Sequence, residues 1–429
     1  MTAPALTLAE KLIARAAGRR AVSPGEIVTC KVDLAMFHDS SGPRRLQPML
    51  ERLGAQVWDP SRIVLITDHY LPADDEESRS IQAITRNWAR SIQLKNFYDG
   101  IGICHVVLPE KGHLRPGMLA VGGDSHSPTG GAFGAYMFGV GATEMLGVVV
   151  TGEIWLRVPH TILLEWNGRF ADGVSAKDVM LSLCARFGLD GARYEAIEYA
   201  GSAIRAFSMQ ERMTLCNMSA ELGAQTALIA PDACTLEYLA AAGVRELDAA
   251  RWRGDPGATP LEHHRFDAAA LEPHVAAPHS PANAAPVSSH AGTKLDIAYL
   301  GACTGAKLDD LRMAARVLKG RRATIELIVA PASLKDREAA RADGTLQALE
   351  DAGASFLATA CGACAGYGQG FAPDTRIISS TARNFKGRMG DPTAQVYLGS
   401  PYTVAAAAVA GRIVDPREML TRSRSAREA

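Results

Sequence analysis

Residues 295–305 read Leu-Asp-Ile-Ala-Tyr-Leu-Gly-Ala-Cys-Thr-Gly, a largely apolar run that ends in a small-residue turn around Cys303. Residues 355–359 lead into a second such turn, Cys-Gly-Ala-Cys, which holds Cys361 and Cys364. Both stretches are typical of strands that end in glycine-rich loops, and in open α/β sheets ligands bind at the carboxyl ends of strands. Three thiolates are one fewer than a closed tetrahedral metal site requires. The pattern therefore indicates a metal centre with one position open for a substrate.

The rest of the chain alternates in the same way between short apolar runs and helical patterns. The apolar runs lie at residues 62–67, 118–122, 161–166, 295–300, 324–330 and 376–379. Helical patterns lie at residues 78–92, 175–187, 307–318 and 335–352, and Thr7-Leu8-Ala9-Glu10 has the form of a capping box that opens a helix. This alternation predicts the α/β class, with parallel or mixed sheets between layers of helices.

Two breaks in composition divide the chain. Residues 273–293, rich in Ala, Pro, Ser and His, are predicted to be a linker, and a weaker boundary falls near Val158-Pro159-His160. We therefore expect three layered α/β/α domains at residues 1–160, 161–283 and 284–429. All three candidate ligand cysteines fall in the third domain.

Composition excludes several classes of protein. The 429 residues are 47% hydrophobic with a formal net charge of −1, which is typical of a globular protein and lacks the basic patch of a nucleic-acid binder. No uncharged apolar stretch reaches the length of a membrane span. The eight cysteines are scattered through a chain without secretory features, which favours a reducing compartment and hence a cytoplasmic protein.

A second polar group lies in the first half of the chain. Asp68 and His69 follow the apolar run at 62–67, and Asp124-Ser125-His126 follows the run at 118–122. An aspartate beside a histidine can orient the imidazole for acid/base work near neutral pH. Any one such pair is more often structural or simply exposed, but several pairs at predicted strand ends favour catalysis. His38 and His105 lie in comparable surroundings.

Three further candidates carry charge. Glu221 stands among small and apolar residues, where it is either a buried acid or an exposed residue at a helix end. Arg383 and Arg388 are spaced to grip carboxylates by bidentate contacts, although surface arginines are also common. Because both arginines follow the second cysteine turn closely, we interpret them as anion-binding candidates.

Taken in order, these motifs resemble those of the aconitase superfamily, in particular the large subunits of the 3-isopropylmalate dehydratase and homoaconitase type. Asp-Ser-His with Gly-Ala-Phe-Gly downstream, Cys-Asn-Met with the following Glu, Gly-x-Cys-Thr, Cys-x-x-Cys and Arg-Asn-Phe-x-Gly-Arg occur in the family's order and spacing. The resemblance runs from Thr7 to Gly411. It implies the aconitase-type fold of three α/β/α domains, with the cluster site at their interface.

The resemblance also implies a cofactor and a reaction. A [4Fe–4S] cluster would be held by Cys303, Cys361 and Cys364, and its fourth iron would bind the substrate's hydroxyl and one carboxylate as a Lewis acid. The reaction would be the reversible dehydration of a hydroxy di- or tricarboxylic acid that is isopropylmalate-, homocitrate- or methylmalate-like.

Roles in that reaction carry over residue by residue. The resemblance implies catalytic roles for Asp68, His69, His105, Asp124, His126 and Glu221, substrate binding by His38, Ser125, Arg383 and Arg388, and a place near the cluster for Asn217. Asp68 with His69 would protonate the departing hydroxyl. His105 with Asp124, and His126 with Glu221, would handle the oxygen held by the open iron.

One element of the family pattern is missing and three positions depart from it. The base that removes the carbon-bound proton is a serine on a swivelling domain, so we expect a separate small subunit to supply it as a partner of this chain. Gly305 and Ala382 stand where the family has asparagines near the cluster, and Lys307 stands where the isopropylmalate branch tends to have arginine. These departures indicate a divergent branch.

Two other interpretations remain open on the sequence. The chain could be a catalytically inactive cluster-binding or regulatory paralogue, since a fold does not fix a function. It could also hold structural zinc on the three thiolates, although a structural zinc site normally has four protein ligands.

Overall fold

The structure, a computed structural model, describes residues 4–245, 247–366 and 370–420. The described chain divides into two compact units. The first unit comprises the described residues up to Gly100 together with Cys104–Asn167 and Asp190–Phe266. The second unit comprises Ile101–Ile103, Gly168–Leu189 and the described residues from Asp267 onward.

Strands and helices alternate through both units. The strands are β1 (Ile27–Lys31), β2 (Leu34–His38), β3 (Ile63–Thr67), β4 (Phe97–Asp99), β5 (Leu119–Gly122), β6 (Tyr136–Gly139), β7 (Glu153–Arg157), β8 (Thr161–Asn167), β9 (Ala196–Ala200), β10 (Thr226–Leu228), β11 (Glu262–Asp267), β12 (His274–Ala276), β13 (Ala284–Pro286), β14 (Ile297–Leu300), β15 (Glu326–Val329), β16 (Ser355–Phe356), β17 (Arg376–Ser379) and β18 (Gln395–Gly399). The helices are α1 (Leu8–Ala16), α2 (Pro43–Leu53), α3 (Glu76–Ser91), α4 (Cys104–Glu110), α5 (Ala142–Thr151), α6 (Ala176–Phe187), α7 (Ser202–Arg205), α8 (Met209–Met218), α9 (Ala233–Ala241), α10 (Leu308–Leu318), α11 (Leu334–Ala342), α12 (Thr345–Asp351), α13 (Gly362–Ala365) and α14 (Pro401–Ala410).

A five-stranded parallel sheet organises the first unit, in the order β4-β3-β2-β5-β6. Every residue of β2 and β3 is buried, as expected for parallel strands covered by helices on both faces. The strand order reverses between β2 and β5, and such a switch point opens a crevice at the carboxyl ends of the strands. His38 ends β2, and Asp124 follows β5 by two residues.

The first unit also contains a smaller sheet and a ribbon. The smaller sheet has the order β10-β9-β8-β11, in which β9 pairs in parallel with both neighbours, and β1 pairs antiparallel with β7. Helix α8 continues into a 3-10 turn, Ser219–Leu222, which carries Glu221. The turn therefore has a fixed place between α8 and β10.

The second unit is built on a seven-stranded sheet, in the order β13-β12-β18-β17-β14-β15-β16. The five strands from β18 to β16 are parallel, whereas β12 and β13 are antiparallel at one edge. The order of the parallel strands reverses between β14 and β17. Cys303 follows β14 and Arg383 follows β17, so both lie at the second switch point.

Most elements predicted from the sequence are confirmed, within a few residues at their ends. Thr7 caps α1 in a reciprocal capping box with Glu10, as predicted. The single helix predicted at 335–352 is wrong, because Gly344 adopts a left-handed conformation (φ 81°) and separates α11 from α12.

The prediction of a linker at 273–293 is also wrong. This stretch contains β12, which pairs with β18, and β13, which pairs with β12, and both strands extend the sheet of the second unit. Its Ala- and Pro-rich composition fits short edge strands as well as it fits a linker. The division into domains at 1–160, 161–283 and 284–429 stays a prediction.

No helix in the described part of the chain is both long enough and apolar enough to cross a membrane.

Candidate active site

Asp68 and His69 form a buried ion pair directly after β3. Nδ1 of His69 lies 2.6 Å from Oδ1 of Asp68, whose other oxygen accepts the Cys104 backbone N–H at 2.7 Å. Burial opposes both charges, but the attraction within the pair outweighs it. It lowers the pKa of Asp68 and, with Asp124 and Asp39, raises the pKa of His69 to about 10. His69 is therefore an imidazolium at neutral pH and holds a proton that it can donate.

Asp39, which follows β2, fixes the segment that contains His69. Its carboxylate accepts the backbone N–H groups of His69 at 3.1 Å and Tyr70 at 2.9 Å, and the Gln82 side-chain amide at 2.7 Å. Asp39 is fully buried. The Ser40 backbone N–H also donates to Asp39 at 3.1 Å, and a buried carboxylate with four donors is a rigid anchor, so Asp39 and Gln82 position His69.

His38 connects the two polar groups of the first unit. Its ring stacks on that of His69, with centroids 3.7 Å apart and planes 9° apart. Its Nδ1 accepts the Ser40 backbone N–H at 3.2 Å, which assigns the remaining proton to Nε2. Nε2 has no hydrogen-bond partner among the described residues and lies 3.7 Å from Oδ2 of Asp124. This N–H can therefore serve a bound anion.

Asp124 is the centre of the second polar group. One of its oxygens lies 2.7 Å from Nε2 of His105 and accepts the His126 backbone N–H at 2.8 Å. Burial opposes ionisation of Asp124, but its interactions with His105 and then with His126 outweigh burial and hold the pKa of the carboxyl well below its usual value. Ser125, the next residue, is exposed.

Glu221 and Asn217 reach the same group from α8 and the turn that follows it. Nε2 of His126 lies 3.1 Å from Oε1 of Glu221, which is buried. Asn217 donates its amide to Oγ1 of Thr129 at 2.8 Å. The interpretation of Glu221 as an exposed residue is therefore wrong.

His69, which faces Asp68, and His105, which faces Asp124, differ in protonation. Burial lowers the pKa of His105 despite the opposing charge of Asp124, whereas the pKa of His69 is raised. At neutral pH the first unit thus places a neutral imidazole and an imidazolium around one carboxylate. Groups whose pKa values are driven apart in this way suit separate acid and base roles.

The three candidate ligand cysteines lie in the second unit, on loops at the carboxyl ends of its parallel strands. Cys303 and Cys364 are buried, and Cys361 is half-buried. Burial is the main cause that raises the pKa of Tyr299, and the thiols of Cys364 and Cys361 add to it. Because Tyr299 lies on β14, four residues before Cys303, the second cysteine turn lies close to the strand that leads to the first. Three sulfur donors on neighbouring loops fit an iron–sulfur cluster with three protein ligands.

Ser380 ties the loop that carries Cys303 to the loop that carries Arg383. Its hydroxyl lies 3.0 Å from the Gly301 N–H and 3.2 Å from the Gly305 carbonyl. A Cβ at position 305 would lie 2.2 Å from the Ser380 side chain, so this packing requires glycine there. The structure thus gives a steric reason for one departure from the family pattern.

Arg383 and Arg388 flank a short turn beyond β17, and both are half-buried. Nε of Arg388 donates to the Cys364 carbonyl at 2.8 Å, which links this arginine to the second cysteine turn. Asn384, between them, donates to the carbonyls of Ala277 and Val396. These contacts place the arginine turn beside the cysteine turn within the second unit.

Comparison with known proteins decides the family. The model of the aconitase family (aconitate hydratase) matches residues 10–294 and 288–411. The chain belongs to the aconitase family. Among its relatives are the 3-isopropylmalate dehydratase large subunit 1 of Methanopyrus kandleri, 43% identical over 96% of this chain and 99% of the relative, and the probable methanogen homoaconitase large subunit of Methanothermobacter thermautotrophicus, 42% identical over 96% and 98%.

The solved structures agree on the fold of this aconitase-family chain. The holo-form of Thermococcus kodakaraensis aconitase X matches with a TM-score of 0.52 and 12% sequence identity, over 89% of this chain and 90% of that one. At that identity the likeness shows the fold alone. The aconitase-type α/β fold and the family predicted from the sequence are thereby confirmed.

The predicted site residues fall into two sets. His38, Asp68, His69, His105, Asp124, Ser125, His126, Asn217 and Glu221 lie in the first unit, and Cys303, Cys361, Cys364, Arg383 and Arg388 lie in the second. Contacts within each unit join most members of its set, and the catalytic and binding roles stay predictions. Sequence reasoning missed Asp39 and Gln82, although the Asp39 position beside His38 was a usable signal.

Proposed function

We propose that this chain is the large subunit of an iron–sulfur hydro-lyase/isomerase that reversibly dehydrates a hydroxy di- or tricarboxylic acid. The observation that carries the proposal is the pair of polar groups in the first unit, where a buried imidazolium and a buried neutral imidazole face Asp124. Loss of a hydroxyl as water needs a proton donor beside it, and the buried imidazolium supplies that donor, whereas the base for the carbon-bound proton is assigned below to the partner subunit. Names of relatives as dehydratase or homoaconitase large subunits support the reaction class.

Cys303, Cys361 and Cys364 would hold a [4Fe–4S] cluster. When bound, such a cluster supplies a Lewis acid that makes hydroxide a tolerable leaving group. The residues of this chain then have separate tasks. His69, kept protonated by Asp68, would donate its proton to the departing hydroxyl and would take a proton back from water when the reaction runs in reverse. Neutral His105, held by Asp124, would orient the departing oxygen by a hydrogen bond. Glu221 orients His126 through their hydrogen bond.

Two arginines and one histidine N–H would bind the substrate. Arg383 and Arg388 suit the substrate's carboxylates, because a guanidinium can donate two parallel hydrogen bonds to one carboxylate. His38 directs Nε2 toward Asp124 and can donate to an anion bound there. Whether the substrate is isopropylmalate-, homocitrate- or methylmalate-like would depend on the substituent that the complete site admits.

A small subunit with a swivel domain is the proposed partner, and it would supply the serine that removes the carbon-bound proton. The support for it is that the relatives are named as large subunits. The chain mixed with its small subunit is expected to turn over, and the chain alone is expected to be inactive. Full turnover by the chain alone would refute this part of the proposal.

The first experiment is anaerobic quantification of iron and sulfide, with electronic and EPR spectra before and after reconstitution. About four irons per chain, or a three-iron signal that converts on adding ferrous ion, supports the proposal. Hydroxy acids of the three types are then screened with the small subunit, by following the unsaturated product in the ultraviolet. A loaded cluster without turnover would identify an inactive cluster-binding paralogue, and zinc in place of iron would identify a structural site.

A further inference from the structure

Lys177 is a buried lysine that the proposed mechanism does not use. Its side chain is 1% exposed, and it is the second residue of α6. Lysine is almost never fully buried, since burial costs hydration of the ammonium and freedom of the long side chain. A cation in the first turn of a helix is also opposed by the helix dipole. The stability of α6 alone therefore gives no reason for a lysine here.

The ammonium of Lys177 holds two consecutive carbonyls ahead of Arg383. Nζ donates to the Thr381 carbonyl at 2.5 Å and to the Ser380 carbonyl at 3.2 Å. The Ser380 carbonyl also accepts Oγ1 of Thr304 at 3.0 Å, from the residue after Cys303. Lys177 therefore supports the arginine loop at the point where this loop joins the cysteine loop.

The peptide held by Lys177 has an N–H without an acceptor. The Thr381 carbonyl and the Ala382 N–H belong to one peptide group and, in a trans peptide, point in opposite directions. The Ala382 N–H thus faces away from the ammonium, next to Arg383. No residue that the structure describes accepts a hydrogen bond from it, and Ala382 is only 2% exposed. A buried N–H without a partner is rare and indicates a place for a ligand acceptor.

We infer that the Ala382 N–H is a carboxylate-binding donor beside Arg383, and that Lys177 is the positioning residue that orients and polarises it. The ammonium draws electron density toward the Thr381 carbonyl, which makes the N–H of the same peptide a stronger donor. It also places a fixed positive charge behind the donor, where little water can screen it. The ligand class is a di- or tricarboxylate, so the inference deepens the proposed function and rests on it.

Lys335 provides a matched control for Lys177. It is likewise the second residue of a helix, α11, but its side chain is exposed. The test compares Lys177→Met, Lys177→Arg and Lys335→Met, as cluster-loaded protein with its small subunit, by calorimetric titration with malonate as the dianion probe. A lost hydrogen bond to a charged group corresponds to roughly a tenfold or greater loss of affinity. We expect that loss in Lys177→Met, a smaller loss in Lys177→Arg and no change in Lys335→Met.

Kinetics separate this role from a purely structural one. In Lys177→Met we expect KM for the hydroxy acid to rise about as much as the malonate Kd, with kcat and iron content near their wild-type values. If Lys177→Met does not fold, an ester in place of the Thr381–Ala382 amide removes the N–H and keeps the side chains. The same loss of malonate affinity is expected of this ester variant.

The outcomes distinguish this inference from the proposed function. Unchanged malonate affinity in Lys177→Met or in the ester variant, or no malonate binding by the wild type, would overturn the inference alone. Malonate binding that depends on Lys177, in a protein that dehydrates no hydroxy acid, would support the inference and overturn the proposed function.

Discussion

At the scale of single residues, Asp124 connects the two histidines that differ in protonation. It lies 2.7 Å from His105 through one oxygen, and 3.7 Å and 4.0 Å from His38 and His69 through the other. Its negative charge helps keep His69 protonated, whereas burial dominates at His105. One carboxylate can thus stabilise an imidazolium and orient a neutral imidazole, because the burial and the partners of the two rings differ.

The Asp68–His69 pair predicts a dependence of stability on pH. The pKa of His69 is raised from 6.5 to about 10, so its contribution to the free energy of unfolding is complete below about pH 6.5 and is lost as pH rises through about 10. In Asp68→Asn this loss should be much smaller. Thermal denaturation at pH 6, 8 and 10 measures this loss, with Asp59→Asn, at a partly exposed carboxylate, as the control. If the melting temperature falls equally with rising pH in the wild type and in Asp68→Asn, the pKa assigned to His69 is contradicted.

Removing the carboxylate that keeps His69 protonated should also slow turnover strongly. We expect Asp68→Asn to lower kcat by roughly a hundredfold or more, which is the usual effect of losing general acid catalysis. Cluster content should stay unchanged, since Asp68 lies in the first unit and the three cysteines lie in the second. Steady-state kinetics with iron analysis of the same sample tests both statements. A kcat within threefold of wild type would exclude His69 as the proton donor.

Cysteine identity gives a third prediction at this scale. Cys303→Ser should abolish assembly of a four-iron cluster, because serine replaces one of three thiolate ligands. Cys234→Ser, at a half-buried cysteine on α9, is the matched control and should reconstitute like the wild type. Iron and sulfide analysis after anaerobic reconstitution measures the difference. A full iron complement in Cys303→Ser would refute the assignment of this ligand.

At the scale of elements, the sequence predicted what depends on local pattern and missed what depends on distant partners. β3 was predictable because five consecutive apolar residues form a fully buried strand. Strands β12 and β13 were missed, since β13 pairs with β12 and β12 in turn pairs with β18, whose residues lie more than a hundred positions away. Asp39 was missed as an anchor for the same reason, because its donors lie about 30 and 43 residues downstream.

The glycine-rich turn after Asp124 shows the same dependence on distant residues. Gly131 in this turn allows β10 to pack closely, since a Cβ there would lie 1.6 Å from the Ala227 carbonyl. Gly131→Ala should lower the free energy of unfolding by about 3 kcal/mol through overpacking. Activity should fall with it, because the same turn begins beside His126.

Gly147 is the control for this prediction. It lies on the exposed face of α5, and a Cβ added there would have no atom within 4 Å. Gly147→Ala should therefore raise the free energy of unfolding by about 0.5–1 kcal/mol through helix propensity. Urea denaturation of the two variants measures both changes. A Gly131→Ala variant as stable as Gly147→Ala would show that the turn and β10 are not in close contact.

At the scale of the whole molecule, both units repeat one principle. Each contains parallel strands whose order reverses once, and each carries several of its predicted site residues at the carboxyl ends beside that reversal. In the first unit the residues are acids and bases, and in the second they are cysteines and arginines. Because the two kinds of residue lie in separate compact units, a substitution in one unit can be tested without replacing a residue of the other.

Cluster loading should therefore stabilise the two units unequally. A cofactor that binds only the folded state stabilises it by mass action, and its three proposed ligands all lie on loops of the second unit. Hydrogen exchange of apo and loaded protein should show increased protection around Cys303 and Cys364, while the sheet of β8, β9 and β10 in the first unit stays unchanged. Cys303→Ser should show no increase under the same conditions. If cluster loading protects the β8–β10 sheet as much as the region around Cys303 and Cys364, the two units open as one cooperative body. The binding energy of the cluster would then be spread through both units.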